Sequence, residues 1–208
     1  QSVLGGYSPD EYGQRRDKAI ADDGTRVPVS LVWKRSFGDP GAGDTRPVHL
    51  YGYGSYEHSI EPGFSVARLS LLDRGVVFAI AHVRGGGEMG RQWYEDGKLQ
   101  HKRNTFTDFV AVARHLVHAG VTTPALMVAE GGSAGGLLMG AVANLAPELF
   151  AGILADVPFV DALTTILDPS LPLTVIEWDE WGDPLHDASV YEYMKSYTPY
   201  ENVREGVE

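Results

Sequence analysis

Apolar residues recur along this chain in two alternating patterns, short runs rich in β-branched and aromatic residues and longer stretches with helical spacing, with glycine clusters at the joins. Residues 15–21 and 27–34 are β-leaning runs joined by Asp22-Asp23-Gly24-Thr25. An Asp-Gly at the tip of such a pair predicts an antiparallel hairpin. A Gly/Pro/Asp-rich connector over 36–46 leads to a short apolar strand at 47–51, which runs into Gly52-Tyr53-Gly54-Ser55-Tyr56. Helical spacing follows at 64–73. Residues 75–81 include Val76, Val77, Phe78 and Ile80 and are nearly all apolar, as in a strand covered on both faces. A second glycine cluster, 84–87, follows that strand. The spacing then predicts a helix over 107–119, with Phe109, Val112, Ala113, Leu116 and Val117 on one stripe, Asp108 near its N-terminus where the dipole favours an acid, and Gly120 closing it.

The pattern repeats once more as a strand at 125–130, the turn Gly131-Gly132-Ser133-Ala134-Gly135-Gly136, a helix at 137–145 and a strand at 150–156. Strands alternating with helices predict an α/β domain on a mostly parallel sheet. Beyond Val157 the text turns into loops and weak helices, including 188–195, and no internal repeat or low-complexity tract is present.

Composition narrows the chemistry. The 208 residues carry 17 Lys+Arg against 28 Asp+Glu, a formal charge of −11, with no basic run of the kind that binds nucleic acid or anionic lipid. Cationic ligands suit this balance better. Without cysteine there is no disulfide framework, thiolate nucleophile or Cys-ligated metal. The longest apolar runs fall well short of the ~20 residues a transmembrane helix requires. The N-terminus, Gln1-Ser2-Val3, has neither an initiator Met nor the regions of a signal peptide, so the chain is expected to be a piece of a longer one.

Gly131-x-Ser133-x-Gly135, placed after an apolar strand and before a helix, fits a nucleophile elbow. The turn is so tight that a Cβ at either flank would collide with its neighbours, and the serine sits in a strained conformation. The Ala134 amide, at the helix start, then points where an oxyanion would form. A serine needs a base oriented by a carboxylate, in the order Ser, Asp/Glu, His. His186 is the one histidine after Ser133, and its turn-rich setting reads as a surface loop; Asp156 reads as a solvated or loop-capping residue. The triad is expected to be incomplete in this chain.

Several blocks extend the motif: 50–56, 68–75, His82-Val83-Arg84-Gly85-Gly86-Gly87-Glu88, Trp93-Tyr94-Glu95-Asp96-Gly97-Lys98, 131–140 and Val157-Pro158-Phe159-Val160-Asp161. With them the chain resembles, essentially end to end, the catalytic domain of the prolyl oligopeptidase family of serine peptidases, and above all its oligopeptidase B branch. The resemblance implies an α/β-hydrolase fold, a mostly parallel sheet with helices on both faces, truncated before its last strands. It implies a partial catalytic domain over 1–208, with a linker and hairpin at 1–35 and the elbow at 125–145. Val3-Leu4-Gly5-Gly6-Tyr7 resembles the linker that leaves the family's β-propeller, and 196–203 the segment before the strand leading to the triad Asp. The propeller, the Asp and the His would lie outside the chain.

The same resemblance makes Ser133 the nucleophile and gives Tyr53, with the Ala134 amide, the oxyanion; from its residues alone, Tyr53 reads rather as a half-buried loop aromatic. Glu177 and Asp179 match an acidic pair that holds a basic P1 side chain, with Tyr56 also at the substrate, although a Glu/Asp/Glu run by itself reads as a solvated face. Glu61 resembles the first of two acids at the next subsite; Gly63 stands where the second is expected. Gly131, Gly135, Arg84 and Glu88 are implied to be structural near the site, the last two as an ion pair shaping the glycine loop; a phosphate cradle is the alternative, without the residues of a P-loop or dinucleotide fingerprint. Glu130, before the elbow, is expected to be protonated or destabilising if buried without a partner. The implied function is cleavage of short basic peptides after Arg or Lys, with no metal or organic cofactor, no nucleic acid and no membrane, in a cytoplasmic or periplasmic setting. An esterase of the same fold, and a non-catalytic fragment that only binds peptide, remain as alternatives.

Overall fold

The computed structural model describes residues 6–206, so residues 3–5 of the linker-like segment lie outside it. The predicted hairpin forms from β1 (Tyr12–Ile20) and β2 (Arg26–Lys34), antiparallel and in continuous register from Tyr12 opposite Lys34 to Ile20 opposite Arg26. At its tip Gly24 takes φ 84° and the Asp23 carboxylate accepts the Thr25 amide at 2.9 Å. The pairing begins three residues before the predicted run, because Tyr12 and Gly13 face Lys34 and Trp33.

The remaining strands are β3 (Val48–Tyr51), β4 (Val77–Ala81), β5 (Met127–Gly132) and β6 (Gly152–Asp156). Among the described residues they complete a six-stranded sheet of order β1-β2-β4-β3-β5-β6, with β2 antiparallel to β4 and the last four strands mutually parallel. β4 shows why its sequence has no alternation: Val77, Ala79 and Ala81 enter a large core on one face, while Phe78 and Ile80 join Leu72 in a smaller one on the other.

Helices cover both faces. α1 (Val66–Leu72), capped by the Ser65 hydroxyl, packs on the smaller core. The short α2 (Arg91–Glu95) precedes α3 (Arg103–His118) and α4 (Ala134–Leu145), which fill the large core with Phe106, Phe109, Val112, Leu116, Leu137, Leu138 and Met139. The chain then adds α5 (Ala162–Ile166), α6 (Thr174–Trp181) and α7 (Ala188–Lys195), which contribute Ile166, Trp181 and Met194 to the same core. α3 starts four residues before its predicted bound, so Asp108 is not at the helix terminus and its role differs from the expected one.

Strands β3, β4, β5 and β6 all end at one edge. The chain passes from β3 outward to β4, then crosses back over β3 to β5, so the order reverses between β3 and β5. A crevice opens at such a switch point, outside the strands' carboxyl ends. The loops after β3 and β5 carry Tyr53 and Ser133.

Candidate active site

Ser133 lies alone between β5 and α4 with φ 57° and ψ −116°, a left-handed conformation rare for a residue with a side chain. Backbone bonds hold it there: its N–H donates to Asp156 O at 2.9 Å, and its carbonyl accepts the amides of Gly136, Leu137 and Phe159 at 2.9, 3.2 and 3.1 Å. The flanking glycines are sterically required. A Cβ at 131 would overlap the Gly135 carbonyl, and one at 135 would lie 2.8 Å from Gly52 O and 3.3 Å from Tyr53 Cδ2. The bend leaves Ser133 exposed while Ala134 is buried, and neither the Ser133 hydroxyl nor the Ala134 amide has a hydrogen-bond partner among the described residues. A first-turn amide of this kind carries partial positive charge and is open to an anion.

Tyr53 packs against the same turn, half-buried, with its ring edge-on to His58 at 5.3 Å. Burial raises its phenol above the ordinary value, and Tyr51, Glu180 and Glu177 raise it further, so the hydroxyl stays a donor at neutral pH.

Three residues on, the loop meets α6. The Tyr56 hydroxyl donates to Glu177 Oε2 at 2.9 Å, which also accepts from Trp181 Nε1 at 2.8 Å, and the Tyr56 ring stands edge-on to Trp181. Burial and the Glu177 carboxylate push the Tyr56 phenol up. Asp179 makes no hydrogen bond or ion pair to this cluster among the described residues. Residues two apart on a helix face away from each other, and Asp179 is exposed without an ion-pair partner among the described residues. Glu180, three after Glu177, shares its side and is 3 % exposed, accepting the Tyr56 amide at 3.1 Å and the Tyr94 hydroxyl at 2.7 Å. Sequence reading missed Glu180; its i, i+3 spacing from Glu177 was the available signal. Lys102, fully buried with its Nζ 3.6 Å from Glu180 Oε1, was also missed, since a lysine before a helix carries no mark of burial. Glu61 sits exposed on the loop before α1.

Two expectations are corrected, and the condition set for Glu130 is not met. Arg84 and Glu88 do not pair: Glu88 Oε1 accepts the Ile60 amide at 3.0 Å and lies 3.5 Å from His82 Nδ1. The Arg84 guanidinium turns inward to Asp108, with Nε to Oδ2 at 2.9 Å and Nη2 to Oδ1 at 2.6 Å, and its Nη1 reaches Asp23 at the hairpin tip at 2.6 Å. Spacing of four brings side chains together on a helix, not across a glycine loop. Asp108 is accordingly the buried counterion of Arg84 rather than a dipole-favoured terminal acid; burial raises its carboxyl against the pull of Arg84. Glu130 is only partly buried and contacts His49 Nε2 on the neighbouring β3, so it is not an unpartnered acid.

His186 points its Nδ1 at Asp183 Oδ2, 2.7 Å away on an exposed turn, with its ring edge-on to Trp178. Asp156 is exposed and touches the elbow through its backbone carbonyl.

Comparison with known proteins accords with this arrangement. The model of the prolyl oligopeptidase family matches residues 62–208. Protease 2 of Moraxella lacunata is 54 % identical over 201 residues, covering 97 % of this chain and 29 % of its own, and dipeptidyl aminopeptidase BI of Pseudoxanthomonas mexicana is 51 % identical over 205 residues, covering 98 % and 28 %. Among solved structures, oligopeptidase B from Trypanosoma brucei with covalently bound antipain superposes with a TM-score of 0.94 at 55 % identity, over 98 % of this chain and 28 % of that one. Oligopeptidase B from Leishmania major gives 0.92 at 52 %, over 96 % and 27 %. The chain thus spans less than a third of the length of these relatives, and its mixed sheet with helices on both faces is that of their α/β-hydrolase catalytic domain. With an elbow serine at the sheet's carboxyl edge and identity above one half to such relatives, the chain belongs to the prolyl oligopeptidase family.

Proposed function

We propose that this chain carries the nucleophile, the oxyanion donors and the acidic P1 pocket of a serine peptidase that cleaves short peptides after Arg or Lys. The observation that carries the reading is the exposed Ser133 at φ 57°, with the Ala134 amide at the helix start, unpartnered among the described residues, and Tyr53 packed on the same turn. Ser133 Oγ attacks the scissile carbonyl, its proton passing to a histidine base; the carbonyl oxygen becomes an oxyanion held by Ala134 N–H and Tyr53 Oη. The amine leaves with a proton from the same base, and water then releases the acyl group from Ser133.

In this reading the His and its Asp come from the remainder of the full-length protein, as does a β-propeller that limits entry to short peptides. Glu177 grips the P1 cation beside the Tyr56 ring, Asp179 adds a second charge at the exposed edge of α6, and Glu61 contributes one charge to the next subsite. The −11 formal charge favours such ligands. The name oligopeptidase B and the bound antipain belong to a relative and support the basic preference by likeness.

The test is Ser133→Ala in the full-length protein, expected to abolish hydrolysis of small Arg and Lys amides and labelling by a serine-reactive phosphonate. Undiminished turnover refutes the nucleophile. Glu177→Gln should raise KM for basic substrates far more than for neutral ones; an equal effect on both removes Glu177 from the pocket.

A further inference from the structure

The loop that carries Tyr53 is held in an unfavourable shape. Gly54, Tyr56 and Glu57 have φ of 75°, 59° and 56°, and the last two bear side chains that disfavour the left-handed region. Such a run persists only where its surroundings fix it. What fixes it here is a charged pair out of contact with water. Lys102, at the start of α3, is fully buried, and its Nζ donates to Gly54 O and Ser55 Oγ, each at 2.7 Å, with Glu180 Oε1 at 3.6 Å and the Trp181 ring at 4.9 Å. Glu180 in turn accepts the Tyr56 amide at 3.1 Å through the same Oε1 and the Tyr94 hydroxyl at 2.7 Å through Oε2.

The two residue types divide the task by chemistry. An ammonium only donates and a carboxylate only accepts, so Lys102 takes the loop's acceptors at 54 and 55 while Glu180 takes its donor at 56. Three consecutive residues immediately after Tyr53 are thereby gripped. A buried ion pair is seldom the most stable filling for its space, so a positional role accounts for it better than stability does. Glu180 also lies one helical turn from Glu177, and Tyr56 is held by both, through its amide and its hydroxyl.

We propose that Lys102 and Glu180 are positioning residues for the reaction, a buried clamp on residues 54–56 that sets the Tyr53 phenol beside the Ser133 elbow and ties it to the helix bearing Glu177. The inference rests on Tyr53 acting as an oxyanion donor.

The experiment is a double-mutant cycle in the full-length enzyme with an Arg-amide substrate: wild type, Lys102→Met, Tyr53→Phe and the double variant. Tyr53→Phe alone is expected to lower kcat about 100- to 1,000-fold, the usual penalty for one oxyanion donor. Lys102→Met should lower kcat about 10- to 100-fold with KM within about three-fold, because the phenol is misplaced while Glu177 remains. In the Lys102→Met background, Tyr53→Phe should then lower kcat only about ten-fold further, to the level of Tyr53→Phe alone, since the donor is already out of place. Additive penalties, or an unchanged kcat, overturn the clamp. If Lys102→Met fails to fold, Glu180→Gln, which keeps the shape of the side chain, is read by the same cycle and the same criteria. Turnover that survives Ser133→Ala overturns the reading of the site and this inference with it; additivity in an enzyme that does depend on Ser133 overturns the clamp alone.

Discussion

Replacing Asp108 by Asn tests whether the inward ion pair, rather than a contact across the glycine loop, holds Arg84. The substitution keeps volume and shape but removes the charge, and one of the two oxygens facing the guanidinium at 2.9 and 2.6 Å becomes an NH₂. Arg84 is 5 % exposed and Asp108 0 %, and a guanidinium does not shed its proton, so the variant leaves a buried cation short of its main counterion. Breaking a buried pair from one side costs about 3–5 kcal/mol. Asp23, still bonded at 2.6 Å, should hold the loss near the lower figure, about 3 kcal/mol. Asp23→Asn removes only the outer partner, whose side chain is 47 % exposed, and should cost no more than about 1 kcal/mol. For a chain of this size, about 2–4 °C of melting temperature corresponds to 1 kcal/mol, so Asp108→Asn is expected to melt about 6–12 °C lower and Asp23→Asn at most about 4 °C lower. Urea unfolding followed by tryptophan fluorescence reads both. Adding Arg84→Met to Asp108→Asn removes the stranded cation and should restore part of the loss. Equal effects of the two single variants, or a double variant less stable than Asp108→Asn alone, would refute the assignment.

Other outcomes follow from the same geometry. Gly135→Ala sets a Cβ 2.8 Å from Gly52 O and 3.3 Å from Tyr53 Cδ2; the resulting shift should lower kcat on amide substrates at least about ten-fold while thermal stability falls by about 1–3 kcal/mol, and steady-state kinetics with a parallel melt checks both. Burial pushes the Lys102 ammonium down to about 8, against the pull of Glu180. The unfolded chain therefore binds more protons between about pH 8 and about pH 10, and wild-type stability should rise through that window relative to Lys102→Met, by at most about 1.4 kcal/mol per pH unit; urea midpoints at successive pH values would show a flat difference if the lysine is ordinary. His186→Ala should leave kcat/KM for Arg amides unchanged in the full-length enzyme, and a loss above about 100-fold would restore His186 as the base.

What the sequence makes legible depends on how local the constraint is. β4 and the elbow are readable because the first is apolar on both faces over five residues and the second carries its glycines in a fixed five-residue spacing about the serine, between an apolar strand and a helix. The hairpin is readable from its Asp-Gly tip. α6 is harder: Val175 and Ile176 are exposed while Glu180 is buried, so the stripe that announces a helix is inverted at the positions that matter. The Arg84–Asp108 pair joins residues 24 apart in sequence, and the expectation of a partner at Glu88 followed nearness in the text instead. Likewise the Glu/Asp/Glu run of α6 gives no sign in the text that Glu180 is buried and bound to the Tyr56 amide while Glu177 takes the Tyr56 hydroxyl.

These departures share a cause in the sheet. The reversal of strand order between β3 and β5 puts the loop after β3 directly against the elbow, and that loop must continue toward α6 within four residues. The path it takes is strained. Gly52 lies against Gly135, and Tyr56 against Glu177, with the backbone between and just beyond them in left-handed conformations at 54, 56 and 57. The serine is strained for a local reason, the sharpness of its own turn; the loop opposite is strained for a long-range one, the distance it has to close. Glycines satisfy the first requirement and are visible in the sequence. A lysine just before α3 and a glutamate of α6 meet the second, which is why the support of the Tyr53 loop is hidden until the chain is folded.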